Sequence, residues 1–342
     1  MQSVQNEVVL LDIGTIDQQI ALYKQSFEID DTIVQLKPFW EKKHYHNPLG
    51  KSLIFGVFIE GELAGMNAYL PCLYQYKNID VLCLQSCESG VDPKFQGKGI
   101  WSRIVKYAVD YIFTETSFDL IIGFPNYRNS YPGFVKMKWD TITNMDNYIM
   151  VNNPAKFANS ISQNRIIKYL SPLLSLQKTL IKIKNKGCKN LVIEECAPED
   201  FGPVCSNDRI SLKPSAEWLK WKSEYKNEHY LLVLCEEKKI ATCAFFIDHF
   251  GGETVIRLDT IIYTNENRLL RKEVLSSIIH HLSCSYPQAA FIRTWTQKDS
   301  QFDRDIRGLL FIKSSHPNPF IIKQPKKEFD GIEWNLSFLD LD

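Results

Sequence analysis

Val91-Asp92-Pro93-Lys94-Phe95-Gln96-Gly97-Lys98-Gly99-Ile100-Trp101-Ser102-Arg103 is the stretch on which the reading of this chain turns. An apolar strand ends, a short basic loop with two glycines follows, and an amphipathic helix starts at once. Lacking a Cβ, glycine lets the backbone turn tightly and point successive N–H groups the same way. The positive end of the helix dipole stands behind those donors, and together they form a socket for an anion such as a pyrophosphate. Gly-x-Gly alone is common in turns. The flanking strand and helix, and a second motif downstream, give it weight here.

Working outward, the helix from Gly99 to about Phe113 carries Ile100, Ile104, Ala108 and Ile112 on one stripe, with Arg103, Lys106 and Asp110 elsewhere. That pattern suits a helix packed on a sheet. Upstream, 53–59, 63–76 and 81–91 read as strands, and the joints at Glu60-Gly61-Glu62 and Lys77-Asn78 suit antiparallel hairpins. Before them come a strand over 8–14, a helix over 15–27, and a short helix from Phe39 closed by Asn47-Pro48. Downstream, 118–124 is a buried strand followed by Pro125-Asn126, a short helix over 129–136 and a strand near 139–151.

The second half repeats this order. Trp218–Tyr225 parallels the Trp40 segment and precedes a hairpin of 229–235 and 240–248. A strand over 254–263, a helix over 267–282, a strand over 289–295 and a helix near 300–307 follow, with terminal strands around Phe311, Ile321 and Trp334. Internal duplication is the reading. Where the first copy has its glycine loop, the second has Tyr263-Thr264-Asn265-Glu266-Asn267, with no glycine and an acid where an anion would bind. That copy is not expected to hold a pyrophosphate.

At 342 residues the chain exceeds one comfortable core, so two domains are expected: 1–150, a connector at 151–190, and 191–342. No acidic residue occurs between Asn147 and Ile193, where lysines alternate with leucine and isoleucine. This segment reads as a helical connector with a solvated basic face, or as a surface for peripheral contact with an anionic membrane or lipid-linked substrate. A net charge of zero argues against a general nucleic-acid binder. The nine cysteines are scattered without a C-x-x-C pair, which indicates neither a metal site nor a disulfide scaffold. With no signal-peptide pattern and no apolar run of membrane-spanning length, a reducing cytoplasmic setting is expected.

These residues resemble the GNAT superfamily of acyl-CoA-dependent N-acetyltransferases, whose best-marked segment is Gln/Arg-x-x-Gly-x-Gly/Ala entered from a strand ending in Val-x-Pro. Gln96 and Gly99 match, and Trp101 stands where a small residue is usual. The second block resembles Asn126 through Phe134-Val135-Lys136-Met137-Lys138-Trp139, with Phe134 where tyrosine is frequent and Lys138 where glycine is usual. The implied fold is α/β: two tandem GNAT-like domains, each a mixed, mostly antiparallel sheet flanked by helices, the second degenerate. The tandem arrangement is similar to bacterial acetyltransferases of surface-polysaccharide assembly.

The resemblance implies acetyl-CoA as co-substrate, with no metal. Its pantetheine would pair like an added strand in a V-shaped opening beside 81–91, contacted by Val91, Gln96, Gly97, Lys98, Gly99, Ile100, Trp101 and Asn126. The acceptor is a small-molecule or sugar amine. Glu88, on the same strand, is the candidate general base, and Tyr131 the candidate acid where Phe134 cannot serve. His44 and His46 are placed at the mouth of the opening as substrate-binding groups, and backbone N–H groups near Cys87–Ser89 could polarise a thioester carbonyl. Cys87 itself lacks an activating partner. The alternatives are a non-catalytic acyl-CoA-binding or scaffolding module and a Fem-type aminoacyl transferase.

Overall fold

Among the described residues, four hairpins close through two-residue turns in which both central residues have positive φ, among them Lys77-Asn78 (49° and 65°) and Glu236-Glu237 (49° and 63°). This geometry matches the twist of the strands it joins, and it sets the register of the sheet. The computed structural model describes residues 7–29, 31–161, 191–202, 208–264, 267–309, 311–313 and 317–340. The basic segment expected to form a connector lies mostly outside the described residues, as do Asn265 and Glu266 of the second half's loop.

In the first half β1 (Val8–Leu11), β2 (Leu53–Ile59), β3 (Glu62–Tyr76) and β4 (Ile79–Val91) pair antiparallel in sequence order. The helix α3 (Ile100–Glu115) then carries the chain back so that β5 (Leu120–Gly123) pairs parallel with β4. α3 packs one face of the sheet through Ile100, Ile104, Ala108 and Ile112, all buried against Phe55, Leu84 and Ile121. Each of the three isoleucines contributes roughly 1.5–3 kcal/mol by leaving water. The opposite face is covered by α1 (Ile16–Phe27) and α2 (Ile33–Tyr45), centred on the buried Trp40. α2 starts before the sequence suggests. Thr32 and Gln35 form a reciprocal capping box, and the helix continues through Pro38. α4 (Tyr131–Lys136), β6 (Asp140–Val151) and α5 (Pro154–Ile161) complete this half.

The second half adds β7 (Leu191–Glu195), β8 (Ile210–Leu212), α6 (Ala216–Lys226), β9 (Glu228–Cys235), β10 (Lys238–Phe250), β11 (Glu253–Tyr263), α7 (Arg268–Ser285), β12 (Phe291–Gln297), α8 (Gln301–Arg307), β13 (Ile312–Lys313), β14 (Asn318–Lys323) and β15 (Trp334–Asn335). All the described strands belong to one sheet, whose main order is β1-β2-β3-β4-β5-β14-β6-β12-β11-β10-β9-β7. The order is palindromic. β1 to β5 mirror β7, β9, β10, β11 and β12, and at the centre each half contributes its late strand to the other. β14 lies beside β5, and β6 lies beside β12. The halves are further joined by α2 against α6, where Trp221 Nε1 donates to the Lys42 carbonyl at 2.7 Å. A shared core of Tyr74, Trp218, Phe320 and Trp334 lies between them. Among the described residues no helix is long and apolar enough to cross a membrane.

Candidate active site

The site begins with a fault in the β3–β4 ladder. Met66 pairs with Gly90 but Ala68 pairs with Cys87, so Glu88 and Ser89 both stand opposite Asn67. Glu88 takes a φ of 39°, a left-handed conformation that one class of bulge uses. On the other side of β4, parallel pairing with β5 runs from Cys83–Leu120 to Ser86–Gly123 and ends there. Two residues later Pro125 offers no N–H to continue it. Two adjoining cavities open between the parted chains. One, of about 440 Å³, is bordered by Ser86, Cys87, Glu88, Phe124, Asn126 and Phe134 among others. The other, of about 360 Å³, lies at the glycine loop and shares Ser89, Asn129 and Ser130 with the first.

The loop has the shape its sequence suggests. Gly97 and Gly99 sit at φ 77° and 73°, and no atom lies within 4 Å of where a Cβ would project from either. Their surroundings are open, so it is the backbone conformation that calls for glycine. Asp92 accepts from the Lys94 N–H at 2.8 Å, and Gln96 Nε2 donates to the Val91 carbonyl at 3.2 Å. Gln96 therefore braces the loop. Gly99 is the residue before the first turn of α3, whose leading N–H groups have no partner within the helix. Val91, Gln96, Gly97, Gly99, Ile100 and Trp101 all border the loop cavity, while Lys98 places its ammonium 5.2 Å from the centre of the Phe95 ring. Trp101, unusual for its position, is accommodated from across the cavity. A Cβ on Gly133 would lie 2.4 Å from its ring, which also meets Phe134 edge-on at 4.9 Å.

Glu88 does not face apolar neighbours alone. Its carboxylate is ion-paired with Lys43, and its second oxygen lies 3.6 Å from His44 Nε2. The side chains of Lys43, Glu88 and His44 are 4%, 8% and 0% exposed. His44 is fixed by Ser52 Oγ, 2.9 Å from Nδ1, and by the Trp40 ring, whose centre is 4.4 Å away. Trp40, Lys43 and His44 fall on one side of α2 because residues three and four apart share a helix face. Sequence reasoning missed Lys43, since a helix lysine ordinarily reads as a solvated charge. His44 does not stand at a mouth. It is packed in the interior beside the candidate base, whereas His46 is exposed just beyond the end of α2. Tyr131 borders neither cavity. Its ring stacks on Tyr127 and its hydroxyl lies 3.0 Å from Thr141 Oγ1. Asn126 borders the larger cavity, and its Oδ1 accepts from the N–H groups of Arg128 and Asn129 at 3.0 and 3.2 Å, shaping the turn into α4.

The second half repeats the bulge. Ala244 pairs with Thr260 and Phe245 with Leu258, leaving Asp259 as the extra residue of β11. There the carboxylate is forked by Arg257 at 2.7 and 3.0 Å. Burial works to raise the Asp259 carboxyl, but the guanidinium prevails and holds it below the usual range. One turn into α7, Arg271 is paired with the buried Asp305 at 3.1 Å. Both of these carboxylates are paired within this copy. No group of His, Cys, Asp or Glu able to hold a metal occurs among the described residues.

Residues 7–141 match the acetyltransferase (GNAT) domain family. No curated protein matches the chain. Among solved structures, a probable N-acyltransferase from Enterococcus faecalis V583 superposes with a TM-score of 0.63 at 11% identity, covering 93% of this chain and 72% of that one. A GCN5-related N-acetyltransferase from Anabaena variabilis gives 0.59 at 10% identity, covering 93% and 72%. The Saccharomyces cerevisiae N-myristoyltransferase with bound myristoyl-CoA gives 0.64 at 9% identity, covering 95% and 80%. Such low identities show the fold alone, and that fold is shared over 93–95% of this chain, whereas the family match is confined to the first half.

Proposed function

We propose that the chain is an acyl-CoA-dependent N-acetyltransferase, in which 1–150 is the catalytic unit, 151–190 a connector and 191–342 a degenerate unit with a substrate-binding or structural role. The observation that carries this reading is a pair of adjoining cavities with Ser89, Asn129 and Ser130 in common. One lies at the glycine loop at the start of α3, and the other at a bulge bearing a buried, ion-paired carboxylate. Val91 and Gly97–Trp101 would hold the donor, whose pyrophosphate suits the open backbone around Gly97 and Gly99. The thioester supplies an activated acyl carbon. In the balanced reaction the acceptor nitrogen bonds to that carbon, the C–S bond breaks, the nitrogen gives up a proton and the sulfur leaves to become a thiol.

In this reading Glu88 receives that proton, with Lys43 and His44 orienting its carboxylate, which is supported by the Lys43 ion pair and the nearby His44 Nε2. A thiol is acidic enough to depart with little help, which agrees with Phe134 and with Tyr131 lying outside the cavities. The hydroxyl- and amide-rich lining of Ser26, Ser86, Ser89, Asn126 and Asn129 around one carboxylate favours a hydroxylated amine, such as an amino sugar of surface-polysaccharide assembly. The test is thiol release from acetyl-CoA in the presence of a panel of amines and amino sugars. Tight acetyl-CoA binding without turnover on any of them would point instead to a non-catalytic acyl-CoA-binding module.

A further inference from the structure

The fold itself does not set the length of the acyl group, because the yeast structure that shares it holds myristoyl-CoA. Length has to be decided by what fills the inner wall of the cleft. Phe124 stands there, one residue past the last β4–β5 pair, and borders the larger cavity. Its ring centre lies 5.0 Å from that of Phe320 and 5.9 Å from that of Trp295. Neither of those two borders the cavity, so both stand behind Phe124. Trp334 in turn meets Phe320 at 4.8 Å, and Phe320 and Trp334 are fully buried. A core packed at this density has no spare volume into which Phe124 could withdraw.

Resting on the acyl-transfer reading, we infer that Phe124, backed by Phe320 and Trp295 from the other half, is a stop that admits a short acyl group and excludes a long-chain one. The backing is a product of the strand exchange. Phe320 lies on β14, the strand that the second half places against β5.

The experiment is calorimetric titration of the whole chain, without acceptor, with CoA, acetyl-CoA, hexanoyl-CoA and decanoyl-CoA. The wild-type protein is expected to bind acetyl-CoA at least tenfold more tightly than decanoyl-CoA. Phe124→Ala should narrow that ratio at least tenfold, and Phe320→Ala should narrow it less, by letting Phe124 move back. Phe124→Leu provides the same comparison if the alanine variant does not fold. Equal or tighter binding of decanoyl-CoA by the wild type overturns the inference. So does an unchanged ratio in a Phe124 variant that still binds acetyl-CoA. If no CoA compound binds at all, the acyl-transfer reading falls and takes this inference with it, whereas binding without length discrimination overturns the inference alone.

Discussion

Replacing Glu88 by glutamine should separate two consequences that one residue now combines. Glutamine keeps the shape of the side chain but cannot accept a proton, so turnover is expected to fall by about 10²–10⁴-fold, the usual span for a positioned base. It also leaves Lys43 buried without its counter-charge. Because the lysine and glutamate side chains are only 4% and 8% exposed, the appropriate scale is that of a broken buried pair, about 3–5 kcal/mol. The scale for an exposed pair, about 0–1 kcal/mol, does not apply. Adding Lys43→Met removes the stranded charge, and most of the lost stability should return while turnover does not. The assays are chemical denaturation for stability, thiol release with an amine acceptor for turnover, and calorimetry with acetyl-CoA to confirm that the donor still binds. Turnover within threefold of wild type in Glu88→Gln, with the donor bound normally, would refute the assignment of Glu88 as base. Recovery of turnover in the double variant would refute it too, by showing that only stability had been at stake.

Gly99→Val forces a β-branched residue to adopt a φ of 73°. Acetyl-CoA affinity should fall at least tenfold, whereas Lys98→Ala should cost no more than about threefold because backbone groups dominate the socket; equal losses in calorimetry would contradict this. Gly133→Ala would put a methyl group 2.4 Å from the Trp101 ring, and a loss of about 1–3 kcal/mol is expected on denaturation, largely relieved by adding Trp101→Leu. In the second half, burial pushes the Glu228 carboxyl up to about 7, even with Lys222 3.7 Å away. In the unfolded chain this group titrates near 4.5, so the folded state holds the extra proton between those values. Its contribution to stability is complete below pH 4.5 and is lost as the pH rises through 7, by at most about 3 kcal/mol. Glu228→Gln should therefore flatten the fall in stability from pH 4.5 to 8 and exceed wild type at pH 8. Asp340, which burial raises to about 6, leaves a residual slope of the same sign. An unchanged slope in the glutamine variant would dismiss Glu228 as its source.

What the sequence disclosed follows from how local each feature is. The loop and α3 were legible because glycine spacing, an apolar stripe and a strand end are all written within thirteen residues, 91–103. Glu88 could be placed on its strand, but its partner could not. Lys43 is 45 positions away, and only the packing of α2 against β4 brings the two together. Pro38 concealed the true start of α2. Read alone it is a helix breaker, yet the Thr32–Gln35 capping box and the burial of Leu36 and Trp40 outweigh the lost hydrogen bond. Tyr131 looked like a cleft phenol because it lies near Phe134 in sequence, but it is Phe134, three residues on along α4, that faces the cavity. The terminal strand near Ile321 was legible as a strand, and its neighbours were not. An apolar alternation marks which residues pair but never with what.

That last point bears on why a degenerate copy persists. β6 gives its 145–151 stretch to β12 and its 140–145 stretch to β14, so a single strand spans the centre of the sheet and serves both halves. On the first half's side, Ile321 of β14 pairs with Gly123, the final residue of β5 before the cleft, and Phe320 backs the ring of Phe124. The second half thus backs the wall of a cleft that first-half residues line. If the second half is degenerate as proposed, pairing of its bulge acid with Arg257 costs the cleft nothing, because what it supplies there is a strand. On the proposed reading the loop at 91–103 marks a single cleft, lined by the first half and buttressed from behind by the second.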